Sequence, residues 1–234
     1  MPESQVHFHR QRPTDLRKAG PGHRLRFIVR ALPDGLERLA ADLHVPPGGR
    51  VLDYGCADTP YRRFFDADAH YLAADLPGNP DATLELTSDG TVPLDDESVD
   101  AVLSTQVLEH VTDPARYLEE CFRVLRPGGR MLLSTHGLMV YHPDPDDYWR
   151  WTGSGLRRSV GLAGFEVVRF EGIMGLTASA LQLLQDGIFY RLPRPLRPLC
   201  AFTLQSLAAL ADRFESPDSR AANALVFALV AEKP

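Results

Sequence analysis

Two acids at the ends of apolar runs and one crowded polar-aromatic stretch are where this sequence could do chemistry. Asp53 closes the first run, in VLDYGCADTP, and is followed by Gly55, Cys56 and the small Ala57. Asp75, 22 residues further on, closes a second run in HYLAADLPG and is followed by Leu76. An acid followed by small residues repels phosphate, attracts a cation and lets a ligand approach the backbone closely. The spacing to Asp75 suits a carboxylate accepting hydrogen bonds from two ribose hydroxyls. A pyrophosphate cradle would need glycines where Ala57 and Thr59 stand. The ligand these groups describe is a cationic amino acid joined to a nucleoside without phosphates.

The third feature is YHPDPDDYWRW, residues 141–151, which holds both tryptophans of the chain. Tyr141, Tyr148, Trp149 and Trp151 offer flat apolar faces, while Asp146, Asp147 and Arg150 offer directional hydrogen bonds. Such a mixture suits a small polar ligand. His136 precedes it and His142 lies near its start, and histidine is the side chain most easily poised as a base near neutral pH. The candidate catalytic set is therefore His142, His136, Asp147 and Tyr148, with Tyr141, Trp149, Arg150 and Trp151 binding the acceptor. His142, Asp144 and Asp147 could alternatively hold magnesium, which favours oxygen-rich sites. The bland alternative is that the tryptophans anchor the loop and Asp-Pro-Asp-Asp forms a turn.

These residues need a scaffold, and the hydrophobic pattern supplies one. Apolar runs at 50–56, 70–78, 82–86, 99–105, 130–136, 165–170 and 223–231 read as strands. PYRRFFD (60–66) and DPARYLEECFRVL (113–125) read as helices, the second opening on Asp113 as N-cap and Pro114 as first helical residue. The alternation indicates an α/β fold with a mainly parallel sheet, whose ligands bind beyond the carboxyl ends of the strands. Residues 1–44 form a helical segment or lid carrying Arg10, Arg12, Arg17, Lys18, Arg24, Arg26 and Arg30. Residues 45–234 form the main domain, with an apolar helical insertion at 172–215 before the last strand.

Composition narrows the classes. The 234 residues are 44% hydrophobic and 24% charged, as in an ordinary globular domain, and the formal charge of −6 lacks the basic excess of a nucleic-acid-binding protein. Three widely spaced cysteines form neither a zinc pattern nor a disulfide framework, which points to a reduced, cytoplasmic setting. The N-terminus lacks a signal-peptide core, and no apolar run reaches the length of a membrane span.

VLDYGCADTP, AADLPG, LDDESVDAVLSTQVLEHVTDP and RVLRPGGRMLLST together resemble the successive motifs of class I S-adenosylmethionine-dependent methyltransferases. The resemblance covers about residues 45–170 and departs from the family where Ala57 and Thr59 replace glycines. It implies a Rossmann-like seven-stranded sheet and S-adenosylmethionine as cofactor. By that resemblance Asp53, Gly55, Cys56 and Ala57 line the methionine part, Asp75 and Leu76 the ribose, and Gln106 the methionine or the transferred methyl. Thr87, Ser88 and Asp89 fall near the adenine.

GCADTPYRRFF followed by PDDYWRWT resembles methyltransferases of polysaccharide and glycoside biosynthesis, including those of methylated mannose polysaccharides. That likeness implies O-methylation of a sugar hydroxyl, with residues 141–151 holding the carbohydrate. Rival readings are a methyltransferase for natural-product phenols or amines, and a protein that binds the cofactor without methylating. The C-terminal helices read as a homodimer interface, a lid, a peripheral membrane contact through Arg191, Arg194 and Arg197, or ordinary packing within one chain.

Overall fold

The computed structural model describes residues 19–143 and 146–234. Arg10, Arg12, Arg17, Lys18 and Asp144 lie outside the described residues. The strands are β1 (Arg50–Tyr54), β2 (His70–Asp75), β3 (Leu84–Glu85), β4 (Val99–Thr105), β5 (Leu125–His136), β6 (Glu166–Gly175) and β7 (Ala224–Glu232). They make one seven-stranded sheet in the order β3-β2-β1-β4-β5-β7-β6. Strands β3 to β5 pair in parallel, and β7 is antiparallel to both of its neighbours. This is the expected Rossmann-like architecture.

Both faces of the sheet are covered, so successive strand residues alternate between two cores. Leu52, Val102, Leu133 and Phe227 pack with Tyr117, Leu118 and Cys121 of α2 (Pro114–Val124) and with Leu156 and Val160 of α3 (Gly153–Leu162). Their neighbours Val51, Leu103, Leu132 and Val226 pack on the other face with Ile28, Leu36 and Leu39 of α1 (Arg26–Ala40). Ala178 of α4 (Leu176–Phe189) and Ala208 of α5 (Arg197–Asp212) complete that second core. A short α6 (Pro217–Ala222) precedes β7.

Three local expectations change. PYRRFFD forms a single 3-10 turn at Arg62–Phe64, not a helix. The Arg62 guanidinium donates to the carbonyls of Phe65, Asp66 and Ala69 and so stabilises a turn. The apolar insertion begins at 176, because Gly172, Ile173 and Gly175 still pair with β7. A side chain at Gly172 would collide with the Arg220 carbonyl, which explains a glycine that hides the strand. His110, which the sequence pattern places on the helix after β4, instead sits in a turn before α2, since Asp113 accepts from the N–H groups of Ala115 and Arg116 and fixes the helix start there.

Candidate active site at the carboxyl ends of the strands

The parallel pairing brings Asp53, Asp75, Gln106 and His136 to one edge, since each ends or follows β1, β2, β4 or β5. Asp53 is buried at 1% exposure. Tyr71 donates its hydroxyl to Asp53 Oδ2, while Oδ1 has no partner among the described residues. Burial raises the Asp53 pKa to about 7, against the lowering effect of Tyr71 and with help from Asp75. A buried carboxylate oxygen without a donor fits a ligand ammonium group.

The loop after β1 turns sharply. Gly55 has φ +83 and donates its N–H to Ala74 O (2.8 Å); a Cβ there would lie 2.5 Å from Val107 Cγ2. Ala57 (φ 47) and Thr59 (φ 51) keep left-handed conformations where the family has glycine. Gln106 is left-handed too (φ 57), and its side chain donates to Ser134 Oγ (3.0 Å). Each such residue costs about 1 kcal/mol relative to glycine, and the three concentrate around one cleft.

Asp75 holds this loop as well as facing the cleft. Its Oδ2 accepts from Ala57 N (2.9 Å) and its Oδ1 from Leu76 N (2.7 Å). Asn79, buried and missed by sequence reasoning, donates to the same Oδ2 (2.8 Å) and to Ala57 O (2.7 Å). Carboxylate oxygens have lone pairs to spare, so ribose hydroxyls can still be accepted. Cys56 is buried 3.8 Å from Asp75 Oδ2, and burial holds its thiol protonated. Ser88 is exposed on the turn after β3, beside the Thr87–Asp89 hydrogen bond.

The 141–151 stretch is stitched across the ends of β4 and β5. Tyr148 N and Trp149 N donate to Glu109 O, at 2.9 and 3.2 Å. Trp149 Nε1 donates to Val111 O (2.8 Å), and Trp151 N to His136 O (3.0 Å). Trp151 packs against the core and is an anchor. Arg150 spends all five N–H groups inside the loop, two on Asp147 at 2.5 Å and three on the carbonyls of Met139, Val140 and Trp149. Asp147 also accepts from His142 N (2.6 Å). Arg150 and Asp147 together clamp the loop. Tyr141, Tyr148 and Trp149 remain open to solvent.

Three imidazoles meet behind this loop, with ring centroids of His110, His136 and His142 6.0 to 6.2 Å apart. His136 is buried, and Nε2 lies 3.1 Å from Oε1 of Glu109, whose side chain is wholly buried. Glu109 also accepts from Thr135 Oγ1 (2.8 Å). Burial, then the charge of Arg150 and the two other histidines, lowers the His136 pKa to about 3. The ring is neutral, with Nε2 facing Glu109 Oε1 and Nδ1 without a partner among the described residues. Sequence reasoning missed Glu109, since a glutamate in a turn gives no sign of burial. Among the described residues, no group of three or more His, Cys, Asp or Glu side chains could hold a metal ion. Of the magnesium set expected from His142, Asp144 and Asp147, Asp144 lies outside the described residues.

Beside the loop lies a cavity of about 400 Å³, lined by Arg24, Val140, Tyr141, Leu183, Asp186, Gly187 and Tyr190. Arg24 and Asp186 pair across it at 2.9 Å. No helix of the described residues is long and apolar enough to cross a membrane.

Fold and strand-end geometry suit the class of S-adenosylmethionine-dependent methyltransferases, which part of the chain resembles. Residues 52–133 match the family described as "Methyltransferase domain". A probable S-adenosylmethionine-dependent methyltransferase of Mycolicibacterium smegmatis is 51% identical over 55 residues, 24% of this chain and 21% of the relative. The ubiquinone biosynthesis O-methyltransferase of a Bradyrhizobium species is 34% identical over 125 residues, 48% of this chain and 49% of the relative. The chain thus spans at most about half the length of these relatives. The crystal structure of the [4+2]-cyclase SpnF superposes with a TM-score of 0.54 at 21% identity, covering 86% of this chain and 80% of the other. That likeness concerns the fold, which alone does not fix the chemistry.

Proposed function

We propose that the protein is an O-methyltransferase acting on a hydroxyl of a small acceptor, a sugar in our reading. The observation that supports this best is the histidine triangle at the ends of β4 and β5, beside the cleft marked by Asp53 and Asp75. Asp53 would take the cofactor ammonium and Asp75 the ribose hydroxyls. Bound S-adenosylmethionine supplies an activated methyl with its own leaving group, so the protein must mainly align the acceptor.

A sugar hydroxyl loses its proton as the new bond forms and gains from a nearby base. His136 is held neutral by its burial beside Glu109, which suits positioning more than proton uptake. His142, half-exposed on the loop, is the better base. Tyr141 and Tyr190 border the cavity with the Arg24–Asp186 pair between them, a combination of apolar walls and directional polar groups that suits a carbohydrate.

A second reading, methylation of an aromatic hydroxyl, is favoured by the likeness to the ubiquinone biosynthesis enzyme. The deciding experiment is label transfer from methyl-labelled S-adenosylmethionine into mannosides, other glycosides, phenols and amines, with and without magnesium. Transfer to a glycoside supports the first reading, and transfer to phenols alone replaces it with the second. Cofactor binding without transfer to any acceptor would leave a cofactor-binding protein that does not methylate.

A further inference from the structure

Helices α4 and α5 are turned inside out. Their inward face carries Gln182, Gln185 and Gln205, exposed by 1%, 0% and 3%. Gln205 Nε2 donates to Gln182 Oε1 (2.9 Å) and Gln185 Oε1 (3.1 Å), and its Oε1 accepts from Phe27 N (2.8 Å). Gln185 donates in turn to Arg24 O (2.6 Å). Buried amides are tolerable only when satisfied in this way. The outward face meanwhile holds Leu184, Leu199, Phe202 and Leu210, each about half exposed or more. A helix pair meant for water places its glutamines outside and its leucines within.

The charge on this face is one-sided. Residues 187–211 contain Arg191, Arg194 and Arg197 and no Asp, Glu or Lys, within a chain of net charge −6. Arg197 turns back onto the carbonyls of Leu192 and Tyr190. Arg191 and Arg194 are exposed at the tip between the two helices. The acids that border the stretch are occupied: Asp186 pairs with Arg24, and Asp212 accepts from Gly175 N. A two-fold contact between copies would gather four of these arginines with no acid on the face to answer them.

We propose that the outer face of the α4–α5 hairpin seats the protein on an anionic lipid surface, with leucines and Phe202 in the interfacial layer and Arg191 and Arg194 against lipid phosphates. The inference is independent of the acceptor. The test is co-sedimentation of the full chain with vesicles of phosphatidylcholine alone or of equimolar phosphatidylcholine and phosphatidylglycerol. The wild type should pellet with the anionic vesicles and be released by high salt. R191Q and R194Q should each weaken partitioning about fivefold, and L199E/F202E should abolish it with thermal unfolding unchanged. Absence of pelleting with anionic vesicles overturns the proposal. A wild-type dimer that L199E/F202E splits into monomers, without vesicle binding, assigns the face to a second copy and overturns it equally.

Discussion

The Asn79 carboxamide bridges two turns, donating to Asp75 Oδ2 at 2.8 Å and to Ala57 O at 2.7 Å, so the acid at the end of β2 and the loop after β1 move as one body. Asp75→Ala removes the proposed ribose acceptor together with this tie. Asn79→Leu removes only the tie. Hydrogen bonds to a charged group contribute about 1.5–3 kcal/mol, so Asp75→Ala should weaken S-adenosylmethionine binding by about tenfold to a hundredfold by calorimetry. Asn79→Leu should weaken it less. Unchanged affinity in Asp75→Ala would remove the ribose assignment.

Cofactor affinity should depend on pH through Asp53. Its pKa is about 7 in the folded protein against 3.8 as reference, so between those values the native state binds more protons than the unfolded one. Its contribution to stability therefore falls as pH rises from about 4 to about 7 and is level above. A ligand ammonium needs the carboxylate, so affinity should rise with pH up to about 7, by at most tenfold per unit. Asp53→Asn should flatten that profile and weaken binding throughout.

If His142 takes the acceptor proton, His142→Ala lowers kcat by about a hundredfold or more and leaves the cofactor Kd within about twofold. Glu109→Gln keeps a hydrogen-bonding group beside His136 but loses the charge, and should lower kcat with a smaller loss. Both belong in one set of rate-versus-pH measurements with the acceptor found by label transfer. Full activity in His142→Ala rejects the base assignment.

His136 makes the fold acid-sensitive. Its pKa is about 3 when folded and 6.5 as reference, so the unfolded chain binds the extra proton in that window. Stability should rise with pH from about 3 to about 6.5, at up to about 1.4 kcal/mol per unit from this one buried group. His136→Gln should lessen the slope of urea-unfolding stability between pH 6.5 and the acid limit.

Gly55→Ala asks a side chain to adopt φ +83 and to place Cβ 2.5 Å from Val107 Cγ2. About 3 kcal/mol of destabilisation is expected from strain and overpacking together. Val107→Ala in the same chain should restore the overpacking part only, leaving the backbone strain. A double-mutant cycle by urea unfolding reads the two apart.

The sheet was legible because buried parallel strands are written as apolar runs ending in an acid or a turn, as in RVLDYGC and HYLAADLPG. Helix α2 was legible because Asp113 and Pro114 announce its start. The site was half legible. Asp53 and Asp75 stand at strand ends by spacing, but the loop's internal economy is a matter of geometry: no pattern tells that Arg150 uses every donor on its own loop. Glu109 and Asn79 were hidden for a related reason, since burial of a polar residue shows only when its partners, distant in sequence, are in place. Gly172 and Gly175 disguised the end of β6, because their service there is close approach and not flexibility.

Strand β7 lies inside the sheet, between β5 and β6, yet comes after both of them in the sequence. Until it emerges from the ribosome, β6 has no neighbour to pair with and β5 lacks the flank that supports His136. The histidine triangle and the hairpin that follows β6 are thus assembled late and together. This sheet closes only after synthesis has passed residue 232, and a nascent form shorter than that presents open strand edges to its surroundings.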